Sequence, residues 1–180
     1  MYCVECSAQM ISAVPPGDRL IRSICPSCAH VEYAGPKVLV SCILFRDDRI
    51  LWIKRATAPY QGLWGSPSGF VEAGETVEEA ASRELQEETL LVVPPEDFSI
   101  YAITSVIPVN EIYVSLIAAL PSMDFGLTPE ISDIRLALET EMLASEYAYP
   151  AGVQLWIKKT YEHIRAPNPF GQQAKLRHLR

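Results

Sequence analysis

The stretch GFVEAGETVEEAASRELQEETLL, residues 69–91, changes from loop to helix at a legible point. Thr76-x-x-Glu79 forms a capping box, which predicts a helix from about Thr76 through Ala80, Ala81 and Leu85 to about Thr89. Glu84, Glu87 and Glu88 stand at i, i+3 and i+4. At 3.6 residues per turn they share one face within an arc of about 100°. Three like charges there repel one another, and a divalent cation relieves that repulsion. Hard oxygen donors at this density suit Mg²⁺ or Mn²⁺ rather than zinc. The alternative is a solvated acidic face, the commonest fate of a Glu-rich helix. Ala80 and Ala81 are expected near the same face, small enough to leave it open, while Arg83 and Glu75 point elsewhere and pair to clamp loop against helix.

The segment before the helix, residues 56–74, holds Pro59, Gly62, Gly65, Ser66, Pro67, Ser68, Gly69 and Gly74. It reads as a long ordered loop, and loops of that length inside a domain are usually functional. A backbone carbonyl there can complete a metal shell, and glycine permits close approach of a phosphate. Upstream, residues 38–45, Asp47-Asp48 and residues 49–54 read as a β-hairpin about an acidic turn. Downstream, Pro94-Pro95 stops the helix from running on. Residues 98–106 and 111–120 read as a second ribbon turning at Pro108-Val109-Asn110, residues 134–138 as a shorter strand, and residues 152–164 as a final helix. Mixed strands with two helices indicate an α+β domain.

The 180 residues, 49% of them hydrophobic, allow one full domain with a real core plus a small appendage. Fifteen Lys and Arg against 22 Asp and Glu give a net charge of −7, which disfavours a nucleic-acid wrapper or a binder of anionic membranes. A small-molecule partner fits better. The longest apolar runs are strand-sized, too short to cross a bilayer, and no secretory leader is legible. The expectation is a cytoplasmic protein in which cysteines stay reduced.

Four of five cysteines fall as Cys3-x-x-Cys6 and Cys25-x-x-Cys28 with eighteen residues between the pairs, the spacing of a four-thiolate zinc site. The alternative, a redox CxxC, needs one such motif in a βαβ context. Here two motifs flank a hairpin turning at Pro15-Pro16-Gly17-Asp18. The apolar residues between them are too few for a core, so metal takes that role, with structural zinc contributing about 10–16 kcal/mol to folding. His30 is read as a surface residue and Cys42 as a small hydrophobe in a strand. The divisions expected are a zinc ribbon over residues 1–35, a catalytic domain over 36–166, and a loose tail over 167–180.

Residues 69–91 resemble the Nudix box, GX5EX7REUXEEXGU with U a bulky aliphatic, at every fixed position but one. Leu90 stands where the family has Gly, so the helix is expected to end differently or run on. With the four-cysteine ribbon, GPKVLV (residues 35–40) and IKRATAPYQGLWGSPSGFVEAGE (residues 53–75), the chain is similar to zinc-ribbon Nudix hydrolases over residues 2 to about 165. These include bacterial relatives of plant FAD pyrophosphatases. The resemblance implies a Nudix α/β/α sandwich and hydrolysis of a diphosphate joining a nucleoside to another group, as in ADP-ribose or FAD, with AMP among the products. It implies Glu84, Glu87 and Glu88 as Mg²⁺ or Mn²⁺ ligands with the Ser68 carbonyl, Arg83 with Glu75 as a structural ion pair, and a homodimer as a common assembly.

For the base, Glu84 is the first choice within the box. Glu130, in a loop before a strand, is the candidate outside it, ahead of Asp133 and Glu111. Gly69 admits the phosphate, and Tyr60, Trp64, Phe70 and Tyr113 either stack a base or flavin ring or belong to the core. The SQPWPFP tract of NADH pyrophosphatases is absent after the box, which lowers NADH. A reading from another class is a nucleotide sensor whose ribbon binds nucleic acid or a protein. It is opposed by the intact glutamates and the acidic composition.

Overall fold

The computed structural model describes residues 1–148, 152–170 and 175–179, the last five as backbone. Its contacts divide into two units, Met1–Pro36 and Lys37–Arg180. The first holds three short antiparallel strands, β1 (Ile11–Ala13), β2 (Arg22–Ile24) and β3 (Val31–Glu32), in the order β1-β2-β3. Ile11 pairs with Ile24, and Ile24 with Val31. This unit exposes several of its apolar side chains, Ile11, Val14, Leu20 and Ile21 among them, and leaves Ile24 and Val31 half-buried. Packing of these strands contributes little.

In the second unit, β4 (Lys37–Arg46) and β5 (Arg49–Arg55) form the expected hairpin through Asp47, whose φ of 56° makes the turn. The strands pair only next to that turn, Phe45 with Ile50 and Arg46 with Arg49, and then separate. Their freed edges take two short strands from the glycine-rich segment. β6 (Trp64–Gly65) joins β5, and β7 (Ser68–Phe70) joins β4 with Val40 opposite Gly69. The segment expected to be pure loop is thus tethered across the split. Strands of two or three residues are set by the edge they meet and carry no period of their own.

On its other side β4 runs parallel to β9 (Glu111–Ala119) over nine residue pairs, and β9 pairs antiparallel with β8 (Ser99–Val106). β10 (Ile131–Ala137), three residues longer at its start than expected, borders β5. β11 (Lys175–Leu179) runs parallel to β8, giving the order β10-β5-β4-β9-β8-β11. Residues 167–180, expected as a loose tail, carry this strand, and the Phe170 ring lies 5.6 Å from that of Phe45. Backbone pairing of this kind leaves no mark on an apolar pattern.

Alternation along β4 feeds two cores, as a period of two requires. Val40, Cys42 and Leu44 join Leu51, Val114 and Leu116 beneath α1 (Val77–Thr89). Ile43 joins Trp52, Ile117, Ile157 and Tyr161 beneath α3 (Val153–Ile164), with Met142 of the short helix α2 (Glu139–Leu143). Trp52 Nε1 donates to the Tyr161 hydroxyl at 3.2 Å, which donates to the Ala137 carbonyl at 2.6 Å, so that core holds a satisfied polar chain. The result is the expected α/β/α sandwich. No helix among the described residues is long and apolar enough to cross a membrane.

Candidate active site

α1 starts where its capping box says it should. Thr76 Oγ1 accepts from the Glu79 N–H at 3.2 Å, and the Glu79 carboxylate accepts from the Thr76 N–H at 2.7 Å. Ala80, Ala81 and Leu85 are fully buried against the sheet. The two alanines therefore serve close helix-on-sheet packing, and the expectation that they keep the glutamate face open is corrected. Cys42 Sγ reaches the Ala81 carbonyl at 3.4 Å, which a larger side chain under the helix would prevent. Burial, first, and the charges of Glu88 and Glu84 push the Cys42 thiol well above its ordinary value, so it is the inert core residue expected.

Arg83 uses all five of its N–H groups. Nε and Nη2 hold Glu75 at 3.1 and 2.7 Å, and Nη2 also donates to the Phe70 carbonyl at 3.0 Å. Nη1 donates to Glu84 Oε1 at 2.7 Å and to Glu87 Oε2 at 3.2 Å. The expected Glu75 pair is present, and the same guanidinium also turns into the glutamate face. Sequence spacing misses this because Arg83 and Glu84 are adjacent and a flexible arm makes the contact. Arg83, first, and the Glu72 N–H hold the Glu75 carboxyl below its ordinary value.

Glu88 is 4% exposed, an extreme for a carboxylate. Its Oε2 accepts from the Ser68 N–H at 2.7 Å, so β7 delivers a donor directly to it. Burial pushes its pKa up to about 8; the Ser68 N–H and the Arg55 charge oppose that rise, and the charges of Glu84 and Glu130 add to it. Glu84 is also raised, by burial first, against the pull of Arg83. A β-carbon at Gly69 would overlap the Glu84 carboxylate, so a larger residue there would have to displace it. Glu87 is 60% exposed at its side chain. Held by different partners, these carboxylates line one face without converging as the cysteine sulfurs do.

Glu130 precedes β10, and its carbonyl accepts from the Ala56 N–H at 2.7 Å, which brings its loop to the end of β5. Asp133 pairs with Lys54 along β10 and is exposed, and Glu111 opens β9 opposite Lys37. Trp64 is 8% exposed within the α3-side core, with the Arg135 guanidinium 3.8 Å from its ring centroid. It takes the core alternative rather than an exposed stacking role. Phe70 and Tyr60 are 44% and 46% exposed. Arg55 is a residue the sequence reading missed. Its only signal was a basic residue closing an apolar strand just before the glycine-rich segment.

Leu90 adopts φ 65° and ψ 4°, and its N–H donates to the Gln86 carbonyl. The helix thus ends as a glycine would end it, and the expectation of a different ending is corrected. The Leu90 side chain lies over Gly126, whose N–H donates to the Thr89 carbonyl at 2.9 Å.

In the first unit the two CxxC turns are near copies. The Cys3 N–H donates to the Ala8 carbonyl and the Cys25 N–H to the His30 carbonyl, while Ser7 and Ala29, one residue past each pair, both have φ 60°. Cys3 Sγ lies 3.6 Å from Cys28 Sγ, Cys6 Sγ lies 3.4 Å from Cys25 Sγ, and all four sulfurs fall within 4.8 Å of one another. Tetrahedral zinc with bonds of about 2.3 Å needs sulfurs about 3.8 Å apart, so the donor set fits that ion. The backbone N–H groups of Cys28 and Ser27 help pull the Cys25 thiol to about 6, toward the thiolate a metal needs, while without a metal Cys6 and Cys28 beside it are raised. Among the described residues, the four cysteines are the cluster of three or more ligand side chains that converges in this way.

Fold and site together define a class: an α/β/α sandwich that sets a glutamate-bearing helix under a glycine loop, preceded by a four-cysteine module. The model of the NUDIX domain matches residues 35–151, and a zinc-ribbon model described as Nudix N-terminal matches residues 1–34. The chain belongs to the NUDIX family. A crystal structure of a NUDIX hydrolase from Nitrosomonas europaea is 31% identical, with a TM-score of 0.80 over 99% of this chain and 98% of that one. An ADP-ribose pyrophosphatase of Methanocaldococcus jannaschii is 52% identical over 60 residues, and phosphatase NudJ of Escherichia coli is 40% identical over 63. Those stretches cover 33% and 35% of this chain and only 36% and 40% of the two relatives.

Proposed function

We propose that this protein is a metal-dependent pyrophosphohydrolase that splits the diphosphate of a nucleoside diphosphate derivative, ADP-ribose, FAD or a related dinucleotide, into two monophosphates including AMP. The observation that carries the reading is a nearly buried glutamate, Glu88, under the Ser68 N–H, with Glu84 fixed beside it by Arg83 and Gly69. Ionising a carboxyl in such a place is unfavourable without a cation, and the oxygen donors suit a hard one. Glu84, Glu87, Glu88 and the Ser68 carbonyl would hold Mg²⁺ or Mn²⁺, which supplies charge neutralisation on the diphosphate and acidifies a water. Arg83 keeps the glutamates and the loop in register, and Gly69, in place of the phosphate contact expected of it, leaves room for the Glu84 carboxylate. Glu84 is the proposed acceptor of the water's proton, with Glu130 next in line.

The ribbon is proposed to hold one structural Zn²⁺ on Cys3, Cys6, Cys25 and Cys28. The resemblance to the ADP-ribose pyrophosphatase of Methanocaldococcus jannaschii supports ADP-ribose as the first substrate to try. The test is a screen of ADP-ribose, FAD, NADH and diadenosine polyphosphates with Mg²⁺ and Mn²⁺, following AMP. Release of AMP from at least one is expected. Tight binding of ADP-ribose or FAD with no AMP formed from any would support a sensor and overturn the enzyme.

A further inference from the structure

The loop from β9 to β10 carries Glu130 and is fastened to the fold on either side of it. The Gly126 N–H donates at 2.9 Å to the carbonyl of Thr89, the last residue of α1 and the neighbour of Glu88. The Ile131 N–H donates to the Thr128 carbonyl at 3.1 Å, and the Ala56 N–H to the Glu130 carbonyl at 2.7 Å. One tie therefore runs to the glutamate helix and another to the residue after β5. The charge of Glu130 is felt at Glu88. Where its carboxylate stands depends on how the loop meets the end of α1.

Leu90 occupies that meeting point. Its φ of 65° is unfavourable for a residue with a β-carbon, and it is 58% exposed. Glycine would end the helix there without strain, so capping does not account for a leucine, and neither does burial. The side chain does meet Gly126: a β-carbon at Gly126 would come within 2.8 Å of Leu90 Cδ1. The loop backbone runs close against the leucine, at the residue whose N–H is tied to Thr89. Phe125, just before it, packs partly buried on the α1-side core. Strain held at one residue, in contact with the loop of a candidate catalytic acid, points to a role in setting that loop.

We propose that Leu90 is a positioning residue for turnover: its side chain, lying over Gly126, fixes the loop that presents Glu130 to the glutamate face. This rests on the pyrophosphohydrolase reading and adds that Glu130 takes part in turnover and that Leu90 acts through it. Leu90 touches neither substrate nor metal in this account. A misplacement of about 1 Å in a reacting group is enough to cost roughly a hundredfold in rate, so a contact this far from the chemistry can be read in kcat.

The test is a double-mutant cycle on the full chain, following AMP in Mg²⁺ from whichever of ADP-ribose, FAD, NADH and diadenosine polyphosphates the wild type hydrolyses fastest. Leu90→Gly removes the contact but suits the left-handed backbone, so a thermal melt should show a folded protein. The expected result is a fall of about tenfold in kcat with KM little changed. Leu90→Met, which keeps the volume over Gly126, should restore kcat. Glu130→Gln should itself lower kcat, and adding Leu90→Gly to it should cost little more, because two residues acting through one group are not additive. Wild-type kcat in a folded Leu90→Gly, wild-type kcat in Glu130→Gln, or the same fold-loss from Leu90→Gly in both backgrounds overturns the proposal and leaves the enzyme reading intact. Absence of AMP from the wild type with every compound overturns both.

Discussion

Gly69 and Glu84 occupy each other's space: the glutamate carboxylate lies where the glycine's β-carbon would be. β7 holds Gly69 opposite Val40, and Arg83 holds Glu84, so neither side can move away cheaply. Gly69→Ala is therefore expected to displace the carboxylate and lower kcat by roughly a hundredfold, the effect of a misplacement of about 1 Å, with the fold retained. Steady-state kinetics beside a thermal melt checks this. Full activity in the variant would show that Glu84 need not sit where it does.

Glu88 links stability to pH. Its carboxyl titrates at about 8 in the fold against an ordinary 4.5, chiefly because it is buried. Between those values the folded chain retains a proton that the unfolded chain has released. Stability from the neutral carboxyl is thus whole below about 4.5 and lost as pH rises through about 8. Glu75, lowered by Arg83, has the opposite sign: its contribution is present above the ordinary carboxylate value and lost as pH falls through the lowered one. The zinc-loaded protein without Mg²⁺ or Mn²⁺ should show a Tm that declines from about pH 5 to about pH 9, and Glu88→Gln should flatten the decline. An identical slope in the variant contradicts the assignment.

Leu90 replaces a glycine in a left-handed position and is 58% exposed. Leu90→Gly relieves the backbone, whereas Leu90→Ala keeps the strain and loses the contact over Gly126. Chemical denaturation should find the glycine variant more stable than the alanine variant by about 1 kcal/mol. The reverse order would mean that the helix does not end at Leu90.

The first unit should depend on its metal. One zinc per chain is expected by elemental analysis, and Cys25→Ser should abolish it. A strong chelator should erase amide protection of β1, β2 and β3 while the sheet of the second unit keeps its own. Protection that survives a verified loss of zinc would rule out a metal-held ribbon.

What was legible in the sequence had a period or a cap of its own. The capping box at Thr76, the β4–β5 hairpin about Asp47-Asp48, the β8–β9 ribbon and α3 were read close to their observed bounds. So was the four-cysteine cluster, since ligand spacing is a short-range signal. What escaped depends on partners distant in sequence. β6 and β7 exist because β4 and β5 part, and α2 is five residues long. Trp64 faces a core that Trp52, Tyr161 and Ile157 complete from elsewhere. Ala80 and Ala81 lie against the sheet because Cys42 rises beneath them, and the reach of Arg83 to Glu84 and Glu87 is a rotamer choice that spacing leaves open.

The most direct test of the central claim is turnover by Glu88→Gln, which keeps the shape of the buried side chain and removes its charge. With the nucleotide that the wild type hydrolyses fastest, at saturation and in Mg²⁺, AMP release is predicted to fall beyond the roughly 10–100-fold typical of outer-shell changes at a metal site, with the melt showing a folded protein. A folded Glu88→Gln that releases AMP at the wild-type rate would contradict the account.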